Sequence, residues 1–435
     1  MPGIINKKKE AGITFPPDWR EIGYSDTPES TLEGFDYAKE IDANWDTSQH
    51  TYMEAFKDDY KLMYFPNMSY EKRYSMERCD RMFQNSNLEY FNCGLPFIQQ
   101  ISSMFASCHN LRYCKITDLE NTGINTINGL FTDCFQLERV DVNFDTLPSS
   151  VTQMTNLFSA CWNLKEISIN NPNIERADGA FQNTYKLNKA NIKLPKCYNS
   201  SFYASGKNTT NGLSIDIVIG TNATQDVSCT FENAKIAGDY DAENVSSIVI
   251  VNCGSLQSCF RGSTLIKCED SNIGPNIQAF CRNNNPINCS FAFMNAISEG
   301  CVIGPQIEKV GNGISLFNGL TFNNGNAKIN VQDIDFSTAT RLDNAFANSN
   351  VVTIEHIDQA DFSTCTIFEN MFQNTSTLDN NTVNGILKAL TTASSYTGIK
   401  TLAYLGFTAA DYPAATIQSL SNYSDFITAG WIIGY

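Results

Sequence analysis

The sequence predicts an α/β solenoid, built from a short helix and a short strand in each unit of about 26 residues. An extended N-terminal arm and a small helical C-terminal cap complete it. Three observations lead there. Phenylalanine recurs at 56, 83, 105, 131, 158, 181, 202, 231, 260, 293, 317, 346 and 372. A small residue follows several anchors by three positions (Cys108, Cys134, Cys161, Thr184, Thr375), and a leucine by six (Leu111, Leu137, Leu164, Leu187, Leu378). Alternating stretches such as Val140-Asp141-Val142 and Ile167-Ser168-Ile169 come next, with the period of two that marks a strand.

Residues 1–50 read as an N-terminal anchoring segment. Pro2, Pro16, Pro17 and Pro28 keep its first part extended. Residues 1–80 hold 26 of the chain's 76 charged side chains. An extended aromatic stretch has no core of its own, so it is expected to dock on the solenoid or on another chain. Phe15, Trp19, Tyr24, Phe35 and Trp45 are the anchoring candidates.

Residues 51–380 read as the solenoid. In each unit an apolar pair such as Leu130-Phe131 ends the short helix, and a polar loop returns the chain after the strand. Phe280, in AFCRNN, offers an extra short unit. One unit cannot bury its apolar face alone, whereas stacked units share one elongated core. The period lies in the leucine-rich-repeat range. Residues 381–435 lose the repeat. VNGILKALTTAS and AATIQSLSNY have helical spacing, broken by Gly398, Gly406 and Pro413, and read as a cap over the last coil.

Composition narrows the function. With 42% hydrophobic and 17% charged residues the chain is a folded protein. A net charge of −16 disfavours nucleic acid and anionic membrane surfaces as partners. The longest apolar run, Ile248 to Val251, falls far short of the roughly 20 residues of a membrane span. Lys7 to Lys9 are followed by no apolar stretch, so no signal peptide is read and a cytoplasmic origin is expected. The 15 cysteines include no CxxC pair and are expected to be reduced thiols packed as small apolar side chains. No metal or cofactor is expected.

Catalytic motifs are not found: no P-loop, no GxGxxG after a strand, no GxSxG, no HExxH. His50, His109 and His356 lie in unrelated units, and neighbours such as Cys108 and His109 point apart. Polysaccharide hydrolysis needs two carboxyl groups about 5–9.5 Å apart. Asp216, Asp226, Asp239, Asp241, Asp333 and Asp335 were the available carboxylates, yet no two hold equivalent repeat positions and turns alone explain them. The expectation is a protein that is not an enzyme, with no catalytic residue.

The unit MFASCHNLRYCKI, with its M/L/A-F-x-x-C/T-x-x-L core, resembles the BspA-type leucine-rich repeat. Asp145-Thr146, Val151 to Met154, Asp335 to Thr338 and Asp361 to Thr364 echo the linking part of that repeat. The resemblance covers about residues 50–380. Tyr37 to Asp46 and Leu405 to Trp431 resemble proteins of gut bacteroidetes and their crAss-like phages. In cells such repeats sit on exported adhesins, whereas a phage particle assembles in the cytoplasm and leaves by lysis. The resemblance therefore implies a virion structural or attachment protein, as a tail, fibre or head-decoration component. Its expected partners are other virion proteins, through residues 1–50, and host cell-surface polysaccharide or protein. Several copies per particle would add avidity. A bacterial surface adhesin and a solenoid polysaccharide depolymerase are the alternatives.

Overall fold

The computed structural model describes residues 37–435, except 39, 66–67, 198–200, 221–229, 242 and 326. The chain forms two compact units, Met1–Ser205 and Gly206–Tyr435. Each is a stack of parallel β-coils, as the repeat predicts.

The helical half of the predicted repeat is replaced by tandem tight turns. The residues two before and two after an anchor phenylalanine are left-handed. Arg81 and Asn85 flank Phe83, Gly129 and Asp133 flank Phe131, and Asn344 and Asn348 flank Phe346, with φ between 53° and 61°. An L-residue costs about 1–2 kcal/mol in that region, which accounts for the Asn, Asp, Gly and Ser found there. Two left-handed residues four apart cannot belong to one α-helix.

The turns tie the coils together. Met104, Ala106 and Cys108 donate their N–H groups to carbonyls three residues back. The alternate residues Ser103, Phe105 and Ser107 donate instead to Asn128, Leu130 and Thr132 of the next coil. The same alternation recurs at Phe131, at Phe158 and, in the second unit, at Phe260, Phe293, Phe317 and Phe346.

This geometry stacks the anchors. In the first unit, Phe83, Phe105, Phe131 and Phe158 follow one another at centroid distances of 5.4–5.5 Å, with planes within 9°. In the second, Phe231, Phe260 and Phe293 are spaced by 5.3 and 5.0 Å. The stack continues through Phe317, Phe346 and Phe372 at 5.3–5.5 Å. No anchor is more than 5% exposed.

The recurring small residue fills a compact slot and also donates a hydrogen bond. Cys108, Cys134 and Cys161 direct Sγ at the carbonyls of Phe83, Phe105 and Phe131, at 2.9, 3.1 and 3.0 Å. Ser205 Oγ and Thr375 Oγ1 do the same toward Phe181 and Phe346, each at 2.8 Å. Hydroxyl and thiol interchange there because both are small donors.

Every strand pairing between coils is parallel among the described residues. In the first unit, Tyr90–Gly94, Tyr113–Thr117 and Arg139–Val142 are neighbours, with Tyr90 opposite Tyr113 and Tyr113 opposite Arg139. Glu166–Asn170 pairs with Lys189–Leu194. In the second unit one row is Ser214–Gly220, Ser247–Cys253, Asn276–Cys281 and Gln306–Ile307. A second row is Lys235–Ile236, Thr264–Ile266, Ile297–Glu299 and Thr321–Asn323. Phe280 belongs to the Asn276–Cys281 strand, so it anchors no additional unit.

Both ends use aromatic residues. Trp45 stacks on Tyr52 at 4.4 Å, lies 6.5 Å from Phe56, and donates Nε1–H to Ser75 Oγ at 3.0 Å. It covers the outer face of the first coil. At the other end the helix Asn380–Leu390 is capped by Asp379, whose carboxylate accepts from Thr382 N at 2.7 Å. The repeat turn runs one step past Phe372, and the aromatic column follows it, with Phe407 at 5.3 Å from Phe372 and its plane tilted by 56°. Asn370 and Phe372 donate to the carbonyls of Tyr404 and Leu405, so residues 401–406 form one more turn. Gly406 closes this turn with φ +92°, and a Cβ there would come within 2.6 Å of the Gln373 backbone. Trp431 is fully buried and closes this end.

Candidate functional site

The turns that leave Phe105, Phe131, Phe158 and Phe181 bury the small residue at position three and the leucine at position six. The two residues between them face outward: in the third coil Cys108 and Leu111 are buried, while His109 and Asn110 are exposed. Stacking the coils of the first unit turns these positions into two adjacent columns.

The first column is aromatic. His109 stacks on Phe135 at 4.6 Å and 5°, and Phe135 on Trp162 at 4.1 Å and 13°. Trp162 is followed by Tyr185 at 6.2 Å. Trp162 is 43% exposed. Face-to-face stacking turns the ring edges outward, and Tyr185 Oη donates to Asn183 Oδ1 at 3.3 Å. The second column consists of Asn87, Asn110, Gln136 and Asn163, all immediately before a buried leucine. Asn110 Nδ2 donates to Asn87 Oδ1, and Asn163 Nδ2 donates to Gln136 Oε1 at 2.7 Å. A primary amide carries two donor hydrogens and an acceptor oxygen, so these bridges leave further groups for a ligand.

Beside the columns Glu138, Arg112 and Lys165 are paired, and in the Tyr185 coil the exposed Lys186 takes the place of the amide. Glu138 lies between Arg112 Nη2 at 3.1 Å and Lys165 Nζ at 2.6 Å. Burial alone would raise the Glu138 carboxyl, but hydrogen bonds from Lys165 and Arg112, with their charges, hold it below the usual range.

The predicted residues fare differently. Trp45 is 7% exposed and packs on Tyr52 and Phe56, which is docking on the solenoid itself. Phe15, Trp19, Tyr24 and Phe35 lie outside the described residues. Cys108 and His109 do point apart: the thiol is buried on Phe83, and the imidazole stacks on Phe135. His50 faces Glu77 at 2.8 Å, and His356 faces Gln359 at 3.2 Å.

Of the loop carboxylates, Asp239 accepts from Glu269 N at 2.7 Å, and Asp241 from Glu243 N and Asn244 N at 3.0 Å. Asp335 accepts from Ser337 N at 2.8 Å. The bonds of Asp241 and Asp335 are turn-forming, whereas that of Asp239 ties two segments 30 residues apart. Asp239 and Asp241 also line a cleft of about 680 Å³ with Tyr240, Lys267 and Glu269. Burial, then the charges of Asp216 and Asp241, push the Tyr240 hydroxyl up. Asp216 lies on the Ser214–Gly220 strand. Asp333 gives its carbonyl to Ile307 N. Asp226 lies outside the described residues. Among the described residues no group of three or more His, Cys, Asp or Glu side chains could hold a metal ion. No described helix is long and apolar enough to cross a membrane.

The cysteines are free and, except for the half-buried Cys281, buried among the described residues. Burial pushes the Cys108 thiol up to about 12. For Cys281, burial and then the charge of Glu308 push it up to about 11. Thiolate is the reactive form, so iodoacetamide at neutral pH should label Cys281 first among these residues. All 15 cysteines should be labelled once guanidinium unfolds the chain. Peptide mapping by mass spectrometry reads this, and labelling of Cys134 or Cys161 as fast as Cys281 would contradict the buried-donor arrangement.

The aromatic column is the feature that the phenylalanine and leucine spacing leaves unread. Its signal is present in four aligned segments, CHNL, CFQL, CWNL and TYKL, where a ring precedes the leucine by two.

Comparison with known proteins gives one family. The family described as Mycoplasma protein of unknown function, DUF285, matches residues 99–205 and 288–396, one stretch in each unit and together just under half of the chain. This agrees with a BspA-type repeat protein. No curated protein and no solved structure matches the chain.

Proposed function

We propose that this chain is a non-enzymatic bacteriophage virion protein, structural or for attachment, that presents its repeat surface to a binding partner. The observation that carries this reading is the exposed pair of columns in the first unit. Tyr60, Tyr70, Tyr74 and Tyr203 of that unit are exposed as well, but they form no row with one ring per coil. The four rings and four amides of the columns are offered outward on a rigid support. Recognition sites are favoured where aromatic and amide groups are held by such a scaffold.

The resemblances of residues 37–46 and 405–431 to phage proteins support a virion as the place of action. Residues 1–50 would attach the chain to a neighbouring virion protein, and repeated copies would add weak contacts into firm adhesion. The test is mass spectrometry of density-gradient-purified particles from a lysed producing culture, with copy number. The expected result is co-banding with virions at fixed stoichiometry. Absence from particles, together with presence on intact cell envelopes, would overturn the virion reading in favour of an adhesin.

A further inference from the structure

We infer that the paired columns of the first unit bind a linear, uncharged polysaccharide laid along the coil stack. This rests on the attachment reading above. The first argument is periodicity. Three successive coils repeat one ring and one amide, His109 with Asn110, Phe135 with Gln136 and Trp162 with Asn163, and the fourth sets Lys186 beside Tyr185, with rings 4.1–6.2 Å apart. A surface that repeats by translation is matched by a ligand that repeats by translation, and a chain of sugar units does so.

The second argument is charge. The columns carry amides, a phenol, an indole, a phenyl and an imidazole, with no carboxylate and a single cation, Lys186, at the end of the amide row, and Glu138 beside them is neutralised by Arg112 and Lys165. A chain of net charge −16 repels an acidic polymer. A cationic partner would be drawn to the carboxylates elsewhere rather than to this row.

The third argument is donor chemistry. Gln136 and Asn163 present spare amide groups to sugar hydroxyls, Trp162 Nε1 adds a donor at its ring edge, and Tyr185 Oη, whose hydrogen goes to Asn183 Oδ1 at 3.3 Å, offers an acceptor. Because the ring faces are taken up by each other, contact is made through edges and hydrogen bonds. Each coil therefore contributes little, and affinity must accumulate along the row. It should rise with oligosaccharide length up to the four aromatic coils and then level off.

The full chain is to be applied to an array of uncharged and acidic oligosaccharides of graded length. Binding should be confined to uncharged glycans and strengthen with length. Trp162→Ala should weaken it by about tenfold, the effect of about 1.4 kcal/mol. The double variant Gln136→Ala/Asn163→Ala removes no stacked ring and should weaken it similarly with unchanged circular dichroism. Three results would overturn the inference: no uncharged glycan bound, acidic glycans preferred, or both variants binding as the parent does. Adsorption to host cells separates the two readings. Cell binding with a blank array sinks the polysaccharide and spares attachment, whereas array binding by a chain absent from particles spares the polysaccharide and sinks the virion.

Discussion

Phe131→Ala is expected to destabilise the first unit by about 3–5 kcal/mol, the range for removing a large buried ring. Phe131 is fully buried, and it stacks on Phe105 at 5.5 Å and on Phe158 at 5.4 Å. Alanine would leave a void between two rings that the turn hydrogen bonds hold in place. Repeat arrays are stabilised chiefly by contacts between neighbours, so the damage should be local. Hydrogen exchange should show lost protection at the amides of Phe105, Phe131 and Asp133, which donate across the coils. Phe135→Ala, in the same coil but on the surface column, should cost only about 1 kcal/mol. Equal effects of the two substitutions would show that the inner stack is not what holds the coils.

Trp431→Ala should cost a similar 3–5 kcal/mol at the other unit's end. The indole is fully buried, stacks on Tyr396 at 5.4 Å, and meets Phe368 edge-on at 6.1 Å. Its Nε1–H satisfies the Leu390 carbonyl at 3.1 Å, at the end of the Asn380–Leu390 helix. The substitution opens a cavity and leaves that carbonyl without its donor. A drop in melting temperature with faster proteolysis of residues 381–435 is expected. A variant as resistant as the parent would mean that the end is closed by something other than this indole.

The repeat, its anchors and its buried leucines were legible in the sequence because burial forces the same residue types at the same offset. The helix was misread for a physical reason. An apolar residue, a small one three later and a leucine three after that fit one face of a helix, but they fit two successive tight turns equally well. The discriminating residues are the Asn, Asp and Gly on either side of each anchor, such as Asn156 before Phe158 and Asn374 after Phe372. They mark left-handed backbone, which no helix contains. The extra turn at 401–406 is hidden because its ring, Phe407, is followed six positions later by Pro413 and not by the leucine of the repeat. Trp45 was legible as a docking residue, whereas the ring it docks on, Tyr52, carries no repeat signature. The surface columns went unseen because alignment rewards invariant positions, and these vary from histidine to tryptophan.

The division of labour in the turns, with one N–H kept within the coil and the next given to its neighbour, makes each coil a self-contained tread. Duplicating one tread would lengthen a unit by about 4.8 Å, one strand spacing, and leave the geometry of the others unchanged. Deleting one would shorten it by the same step. Reach and the number of rows offered to a ligand then change together, in whole steps, through ordinary unequal recombination. A lineage carrying this chain has a ruler whose length it can edit without redesigning any mark on it.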